Sequence, residues 1–310
     1  MLLFTLNIDM ENIIEWNVGL NNYKKCTLEL GANTHKFTTE LLDVPFDCER
    51  DITDIFNDHL LHRQTKYVEV LYSGGLDSEL VLLSCIKNNI PVIAITLIIK
   101  IDNMIVNTHD MYYAEKFCRN NNIPHKLVEL DAGKFFENGD HLKYLSPYYI
   151  IEPHVATHLW LIEQCSYFPV IGGDWPWVQT HNENPVLSPF RLDFSSYERF
   201  MVDKGITGIG NMISYSLDSS VKLMQIHLDN HLDDETISSF KSRMYQTMYP
   251  ELETRIKSHG WEQHKTRNFN LSVYKMDLFK NLKPTLHKIK WNNTIKTLLN
   301  TPANENDKFR

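Results

Sequence analysis

The sequence lacks any hydrophobic run long enough to cross a membrane, and it begins without a recognisable leader. A transmembrane helix needs roughly 20 apolar residues in a row. The longest candidate, residues 90–101, is interrupted by Pro91 and Lys100. The opening MLLFTLNIDMEN has neither a basic start nor a small-residue cleavage site. These absences predict a cytoplasmic protein that has no membrane as a partner.

Cysteine is scarce and dispersed along the chain. The five cysteines form no CxxC pair and are odd in number, which argues against a disulfide framework and against a zinc ribbon. The hydrophobic fraction of 43% and the charged fraction of 23% are ordinary for a globular protein, so extensive disorder is not expected. We expect most of the cysteines to be small buried hydrophobes: Cys26, Cys48, Cys85, Cys118 and Cys165.

From Tyr67 onward the chain alternates apolar strands with amphipathic helices. The strands are YVEVLYS, PVIAITLII, HKLVELDA and FPVIGGD, and the segments between them have helical spacing. Near-continuous apolar strands alternating with helices are typical of a parallel sheet that is covered on both faces. The sequence therefore predicts an α/β fold with a doubly wound parallel sheet over residues 61–200.

The two ends of the chain have a different character. FTLNI and CTLEL alternate apolar and polar residues, GLNN provides a turn, and DITDIFNDHLL has helical spacing. Residues 1–60 are therefore expected to form a small β-rich N-terminal unit plus a helix. Residues 201–310 are expected to form a helical C-terminal region, with helix through residues 276–300 except for a break at Pro284.

A polar, glycine-rich turn, SGGLDS, separates the first strand of the sheet from its helix. Gly74 and Gly75 permit positive φ and close backbone approach, and the following helix offers unpaired N–H groups at its positive end. Ser73 and Ser78 add hydroxyl donors. The turn is neither GxxxxGK[ST] nor GxGxxG, but it lies where doubly wound folds bind ligands. We expect a phosphate site, with Mg²⁺ between the phosphates and the carboxylate of Asp77.

The same turn resembles that of a known family. SGGLDS matches the pyrophosphate-binding loop of the N-type ATP pyrophosphatases, the PP-loop family, and its spelling is most similar to that in the ATP-binding domain of asparagine synthetase and β-lactam synthetase. The resemblance implies an adenine nucleotide alpha hydrolase-like fold, ATP and Mg²⁺ as cofactors, and Asp77 as metal ligand and catalytic residue. The implied contacts to ATP are Ser73, Gly74, Gly75, Leu76, Asp77, Ser78, Thr96, Leu97 and Gly173, with Thr96 and Leu97 near the adenine.

A second segment extends the resemblance. VIGGDWPWV stands where asparagine synthetases carry Gly-Asp/Glu-Gly-x-Asp-Glu; Gly173 and Asp174 fit, whereas Trp175 and the residues after it replace the remaining acids. The resemblance implies Asp174 as a second metal ligand. Arg191 follows, and its guanidinium suits a phosphate or a substrate carboxylate. Met1-Leu2 replaces the Met-Cys that opens a glutaminase domain, so we expect ammonia, an amine or a different nucleophile.

Charge is distributed unevenly. The net charge is -8, yet residues 255–300 hold ten Lys or Arg against two acids. Basic residues interleaved with aromatics suit RNA, and an amphipathic helical layer explains the same pattern. The oligomeric state is open, with a homodimer as one option.

Two histidine pairs have the spacing of metal ligands on a helix. His154 and His158 are four residues apart, as are His227 and His231. Neither pair has the Glu of a zincin or an evident third ligand, so we expect packed or solvated helix faces.

The sequence as a whole predicts an ATP-dependent synthetase that uses small-molecule acid and amine substrates. It would cleave ATP to AMP and pyrophosphate, adenylate a carboxylate or similar oxygen, and form an amide or related C–N bond. One alternative is a tRNA- or nucleic-acid-modifying ATP pyrophosphatase, although the absence of CxxC argues against a thiolation enzyme that uses a cysteine pair. An alternative of another class is a nucleotide-binding protein without turnover.

Overall fold

A computed structural model of the protein describes most of the chain. The described residues are 12–30, 34–148, 153–173, 178–181, 184–187, 192–230, 235, 237–252 and 283–290. Asp174, Trp175, Arg191 and His231 lie outside them, as does the FTLNI segment.

Residues from the two ends of the chain form one mixed sheet. Strands β1 (Asn12–Val18), β2 (Lys24–Leu30) and β3 (Thr34–Leu41) pair antiparallel in turn. A single 3₁₀ turn, Leu20–Asn22, joins the first two strands, as GLNN predicts. Strand β11 (Lys283–Lys290) pairs parallel with β3, which gives the order β1-β2-β3-β11. The predicted β-rich N-terminal unit is confirmed for its described residues.

The prediction of a helix across residues 283–290 is wrong, because this segment is strand β11. Its register on β3 shifts between Lys283 and Leu286, around Pro284. Proline is tolerated at such irregularities and in edge strands because it has no N–H to donate. Pro284 therefore coincides with a register irregularity of β11 instead of a helix break.

The central sheet confirms the predicted doubly wound architecture. Its parallel strands are β4 (Val68–Leu71), β5 (Val92–Ile101), β7 (His125–Asp131) and β8 (Phe168–Ile171), in the order β7-β5-β4-β8. A short strand, β6 (Met104–Ile105), folds back antiparallel onto the end of β5.

Helices connect and cover these strands. They are α1 (Ile52–Leu61), α2 (Leu76–Lys87), α3 (Thr108–Asn120), α4 (Ala132–Glu137), α5 (Leu142–Leu145), α6 (Pro153–Ile162), α7 (Leu192–Lys204), α8 (Leu217–Asn230) and α9 (Ile237–Met248). Between α6 and α7, β8 is followed by a hairpin of β9 (Val178–His181) and β10 (Asn184–Leu187). Among the described residues, no helix is both long and apolar enough to cross a membrane.

Alternating strand residues divide between two cores. Val68 and Val70 of β4 are buried with residues of α1, α2 and α3. Ile95 and Leu97 of β5 are buried on the opposite face, with residues of α4, α6 and α7. Burying such a side chain stabilises the fold by about 1.5–3 kcal/mol. Covering both faces explains why the strands are apolar almost throughout.

The strand order reverses between β4 and β8. Chain progression from β4 through β5 to β7 runs toward one edge of the sheet, whereas β8 lies on the other side of β4. Ligands of doubly wound folds bind in the crevice beyond the strand ends at such a switch point. The SGGLDS turn follows β4 and Gly172-Gly173 follow β8, so both lie at this crevice.

Residues 207–216, which are most of the connection from α7 to α8, extend the sheet beyond β8. We call it the edge segment. Ile209 lies parallel to Val170, donates its N–H to Pro169 O at 2.9 Å and accepts the N–H of Ile171 at 2.9 Å. Next to it, Tyr23 and Leu41 of the N-terminal unit are buried against Leu217 of α8. The N-terminal unit therefore packs on the part of the chain that borders β8.

Candidate functional site

The glycine turn after β4 has a backbone that other residues do not fit. Gly74 has φ +71°, and a Cβ there would collide with the carbonyl oxygen of Asp110 in the first turn of α3. Gly75 is the N-cap of α2 and has no side chain to cap it. The Gly75 N-cap therefore offers no side-chain acceptor to the first N–H groups of α2, which lie at the positive end of the helix dipole.

The two serines of the turn differ in their exposure to solvent. Ser73 is exposed at the end of β4, at the crevice. Ser78 is buried, and its hydroxyl donates to Gly75 O at 3.1 Å. Leu76 begins α2 and is half-buried. The backbone and Ser73 are thus the groups of this turn that a ligand meets most directly.

The turn after β8 touches the turn after β4. A Cβ at Gly172 would lie 2.8 Å from the nitrogen of Ser78 and 2.9 Å from the carbonyl carbon of Asp77, closer than real Cβ atoms approach. Gly173 has φ +92°, and a Cβ there would collide with Oδ1 of Asn211. Both glycines are required for this close approach. The structure brings SGGLDS and Gly172-Gly173 together.

Asp77 connects the start of α2 to α9. Its Oδ2 lies 2.6 Å from the Lys241 ammonium, and its Oδ1 accepts a hydrogen bond from the Tyr245 hydroxyl at 2.7 Å. Lys241 and Tyr245 are one helical turn apart on α9, and Tyr245 is fully buried. The pair places a cation beside the glycine turn.

Sequence reasoning missed both α9 residues. SSFKSRMY is one basic helical stretch among several, and nothing local indicates which lysine reaches residue 77, which is 164 positions away. The i, i+4 spacing of a lysine and a tyrosine was the available signal, but it is common on amphipathic helices.

The side chain of Thr96 in β5 is hydrogen-bonded within the protein. Its buried hydroxyl donates to Tyr72 O at 2.6 Å, and Nε2 of His125 lies 2.8 Å from it. Since Thr96 donates to Tyr72, the imidazole N–H of His125 must be the donor in the second bond. Burial lowers the pKa of His125, which favours this neutral form.

The carbonyl of Leu97, the next residue of β5, is also engaged within the protein. Leu97 O accepts from Nδ2 of Asn107 at 2.6 Å, and Oδ1 of the same Asn107 accepts the N–H of Ile99 at 2.9 Å. Asn107 is the N-cap of α3, so these bonds fix the start of α3 relative to β5. Thr96 and Leu97 therefore hold the sheet and α3 in place beside the glycine turn, and their contact with adenine stays a prediction.

A second helix start, that of α3, borders the same turn. The carbonyl of Asp110 packs against Gly74, and the Asp110 side chain is buried. The ring of His109 makes an edge contact with that of Tyr113, with 4.9 Å between centroids. Sequence reasoning did not place α3 here, because the contact depends on how far β5 extends before the chain turns back.

A metal at this site would depend on Asp77. Mg²⁺ prefers octahedral oxygen ligands and is commonly held by one or two carboxylates together with phosphate oxygens and water. Within the described ranges, no group of three or more His, Cys, Asp or Glu side chains is suited to hold a metal ion. Asp77 fits such a shared site if Lys241 moves from Oδ2, because an ammonium and a metal ion cannot occupy the same position.

The described members of the two histidine pairs, His154, His158 and His227, have partners within the protein; His231 lies outside the described residues. His158 Nδ1 lies 2.7 Å from the Tyr197 hydroxyl, and the rings of His154 and His158 are 5.6 Å apart. His227 is buried against Phe240, with 4.9 Å between ring centroids. Cys26, Cys85 and Cys118 are buried, as expected.

No protein-family model and no curated protein sequence matches the chain. Solved structures do match. An NH3-dependent NAD synthetase from Campylobacter jejuni is 25% identical over 25% of this chain and 33% of its own, with a TM-score of 0.22. This chain therefore aligns with only about a third of that synthetase.

Two longer matches have lower sequence identity. The U34-tRNA thiolase NcsA from Methanococcus maripaludis is 15% identical over 77% of this chain and 89% of its own, with a TM-score of 0.31. An NMN synthetase from Francisella tularensis is 13% identical over 64% of this chain and 90% of its own, with a TM-score of 0.29. Each of these three TM-scores is below 0.5, so the matches say nothing about the chemistry of this chain.

Proposed function

We propose that this chain is an ATP-dependent synthetase of the PP-loop type that cleaves ATP to AMP and pyrophosphate. The observation that carries the proposal is the meeting of two glycine turns at the switch point of the sheet, with Asp77 and Lys241 beside them. The N–H groups at the start of a helix, a nearby ammonium and a carboxylate suit a phosphate chain and its metal ion.

In this proposal the glycine turn holds the pyrophosphate portion of ATP. The N–H groups that begin α2 and the Ser73 hydroxyl donate to phosphate oxygens, and Gly74 lets the backbone approach them. Lys241 shifts from Asp77 to a phosphate oxygen, a short movement for a flexible four-carbon side chain. The ammonium then stabilises the negative charge that develops as pyrophosphate leaves.

Asp77 is the proposed Mg²⁺ ligand, and Asp174, just outside the described residues, is the proposed second ligand. When bound, Mg²⁺ would neutralise part of the negative charge of the phosphates. Tyr245 keeps its hydrogen bond to Oδ1 of Asp77 and so orients the carboxylate. Arg191, also outside the described residues, is proposed to bind a phosphate or the substrate carboxylate.

The proposed reaction has two displacements. A substrate carboxylate oxygen attacks the α-phosphorus, the bond from that phosphorus to the bridging oxygen breaks, and pyrophosphate leaves with the electron pair. Ammonia or an amine then attacks the acyl carbon and AMP leaves with the C–O electron pair, while the nitrogen loses a proton to solvent. Donors fixed before the reaction stabilise the charge without reorganising during it.

The test is release of AMP and pyrophosphate from ATP and Mg²⁺ with candidate carboxylic acids and ammonia. Asp77→Asn should reduce release at least about 100-fold, since it removes the charge that pairs with metal and Lys241. Asp131→Asn is the matched control, because Asp131 also begins a helix and pairs with a lysine, at 3.2 Å, but in α4. ATP binding without release would favour a binding protein, and equal activity in both variants would refute the assignment.

One observation favours RNA as a substrate of the same ATP site. Strand β11, the last in the order of the described strands of the N-terminal sheet, carries Lys283, Lys288 and Lys290 of the basic stretch of residues 255–300. RNA binding that weakens steeply with salt, and that is lost when these lysines are replaced by glutamine, would support a tRNA-modifying enzyme. Salt-independent or absent binding would leave the small-molecule synthetase.

A further inference from the structure

The turn after β8 is held from outside by the edge segment. Met212 donates its N–H to Ile171 O at 2.9 Å, and Ile213 donates to Gly172 O at 3.0 Å. These bonds continue the pairing of Ile209 with β8 up to the first glycine of the turn. The position of Gly172, and hence its close approach to α2, depends on where the edge segment lies.

The side chain of Asn211 adds a direct contact to Gly173. Its Oδ1 lies so close to the Gly173 backbone that no Cβ fits between them, and it accepts the N–H of Ser214 at 3.2 Å. Asn211 is itself buried. A displaced edge segment would therefore move both glycines of the turn.

Glu198 of α7 holds the edge segment from the other side. Its Oε1 accepts the N–H of Gly210 at 2.6 Å, and a Cβ at Gly210 would lie 2.8 Å from that of Tyr197. Burial raises the pKa of Glu198 to about 7, while the N–H groups of Gly210 and Asn211 and the charge of Lys24 act in the opposite direction. A carboxylate, its backbone donors and a nearby cation thus form one cluster.

The N-terminal unit contributes to this cluster. Lys24 of β2 is buried, and its neighbour Tyr23 donates its hydroxyl to Ser214 O. Leu20 donates its N–H to Tyr215 O at 2.7 Å. The positive charges of Lys24 in β2 and of Arg63 after α1 lower the pKa of Glu198. The charge of Glu198 in turn raises the pKa of Tyr23, the residue before β2. The N-terminal unit thereby contacts the edge segment directly, at Ser214 and Tyr215.

We propose that Glu198 is a positioning residue: through the edge segment it sets the Gly172-Gly173 turn against the start of α2. The inference rests on the proposed ATP site for its effect on affinity. The chain of contacts from Glu198 through Gly210 and Asn211 to Gly173 positions the turn whether or not the protein catalyses the proposed reaction.

The test measures MgATP affinity together with amide hydrogen exchange at Met212 and Ile213. Glu198→Ala should weaken MgATP binding about tenfold and speed exchange at both amides, since it removes the oxygen that accepts the N–H of Gly210. Glu198→Gln keeps an oxygen acceptor and should restore both values. Glu163→Ala is the control, because Glu163 is also a glutamate that accepts hydrogen bonds, from Tyr144 at 2.6 Å and from Lys204 at 2.8 Å, but it lies beyond α6.

The outcomes separate the two proposals. If the unaltered protein fails to bind MgATP, the proposed function fails, while the exchange rates still decide the role of Glu198. If MgATP binds and Glu198→Ala changes neither affinity nor exchange, the positioning role is overturned. Should Glu198→Ala not fold, Glu198→Asp replaces it, because the shorter side chain keeps the charge but withdraws the oxygen from Gly210.

Discussion

The ammonium of Lys241 lies 2.6 Å from one oxygen of the Asp77 carboxylate, and the hydroxyl of Tyr245 donates to the other. Asp77 lies in the first turn of α2, whereas both partners lie on α9, more than 160 residues later. The contact closes one side of the glycine turn. It also leaves a cation within reach of a phosphate bound there.

Replacing Lys241 by alanine should lower kcat/KM for pyrophosphate release by about 10- to 100-fold, the loss of one charge-assisted contact to phosphate. Steady-state kinetics with ATP and Mg²⁺ measures it. Arg243→Ala is the control, because Arg243 lies on the same helix but pairs with Glu235 at 2.5 Å. Equal kinetics in the two variants would exclude a role for Lys241 at the phosphates.

Tyr245→Phe should reduce the free energy of unfolding by about 1–2 kcal/mol and also weaken MgATP binding, because the carboxylate of Asp77 loses its second partner. Tyr249→Phe is matched to it: Tyr249 is also buried and donates to an aspartate, Asp51, at 3.1 Å. Denaturant unfolding should show similar losses for both. A weaker MgATP affinity in the Tyr249 variant alone would contradict the assignment.

Gly74→Ala should abolish MgATP binding, since the new Cβ meets the carbonyl of Asp110 while φ is +71°. Gly205→Ala isolates the conformational part, because Gly205 has φ +66° and nothing within 4 Å of an added Cβ. That control should lose about 1 kcal/mol of stability from the positive φ alone. Calorimetric titration with MgATP, alongside thermal unfolding, distinguishes the two. Normal binding by Gly74→Ala would show that close backbone approach is not needed.

Local sequence patterns predict the parts of the site that neighbouring residues determine. SGGLDS is placed correctly because a strand, a polar turn and a helix start follow one another within about a dozen residues. The same is true of Gly173 at the end of β8. Strands β4 and β5 are recognisable because their sequences are apolar almost throughout. This local pattern reflects the burial of both faces of the sheet.

Contacts between distant segments are what the sequence does not reveal. Lys241 on Asp77, Asp110 on Gly74 and Glu198 on Gly210 depend on how helices pack after the sheet has formed. Strand β11 is a further case: its pairing partner β3 is about 250 residues away, and its lysines and proline resemble those of a broken helix until that partner is known.

The stability of the protein should fall at acidic pH partly because of His59. Burial lowers the pKa of His59 to about 4, and its ring packs edge-on against Tyr215 at 5.3 Å. The folded state thus favours neutral His59, so its contribution to stability is present above the ordinary histidine pKa of about 6.5 and is lost as pH falls toward 4. The full effect is about 3 kcal/mol.

Denaturant unfolding across this pH range measures that contribution as the difference in free energy of unfolding between the unaltered protein and a His59 variant. His59→Phe should flatten the loss of stability on acidification, whereas His62→Phe, a change at the exposed end of the same helix, should not. A parallel pH dependence for the unaltered protein and His59→Phe would contradict the assignment.

Phosphorus NMR of the protein with ATP, Mg²⁺, carboxylic acids and ammonia tests the central claim most directly, because it identifies which phosphate bond breaks. Cleavage at the glycine turn, with Asp77 and Lys241 at the phosphates, predicts that the resonances of AMP and pyrophosphate grow together and are lost in Asp77→Asn. The appearance of ADP and orthophosphate instead, or an ATP spectrum that does not change, would contradict it.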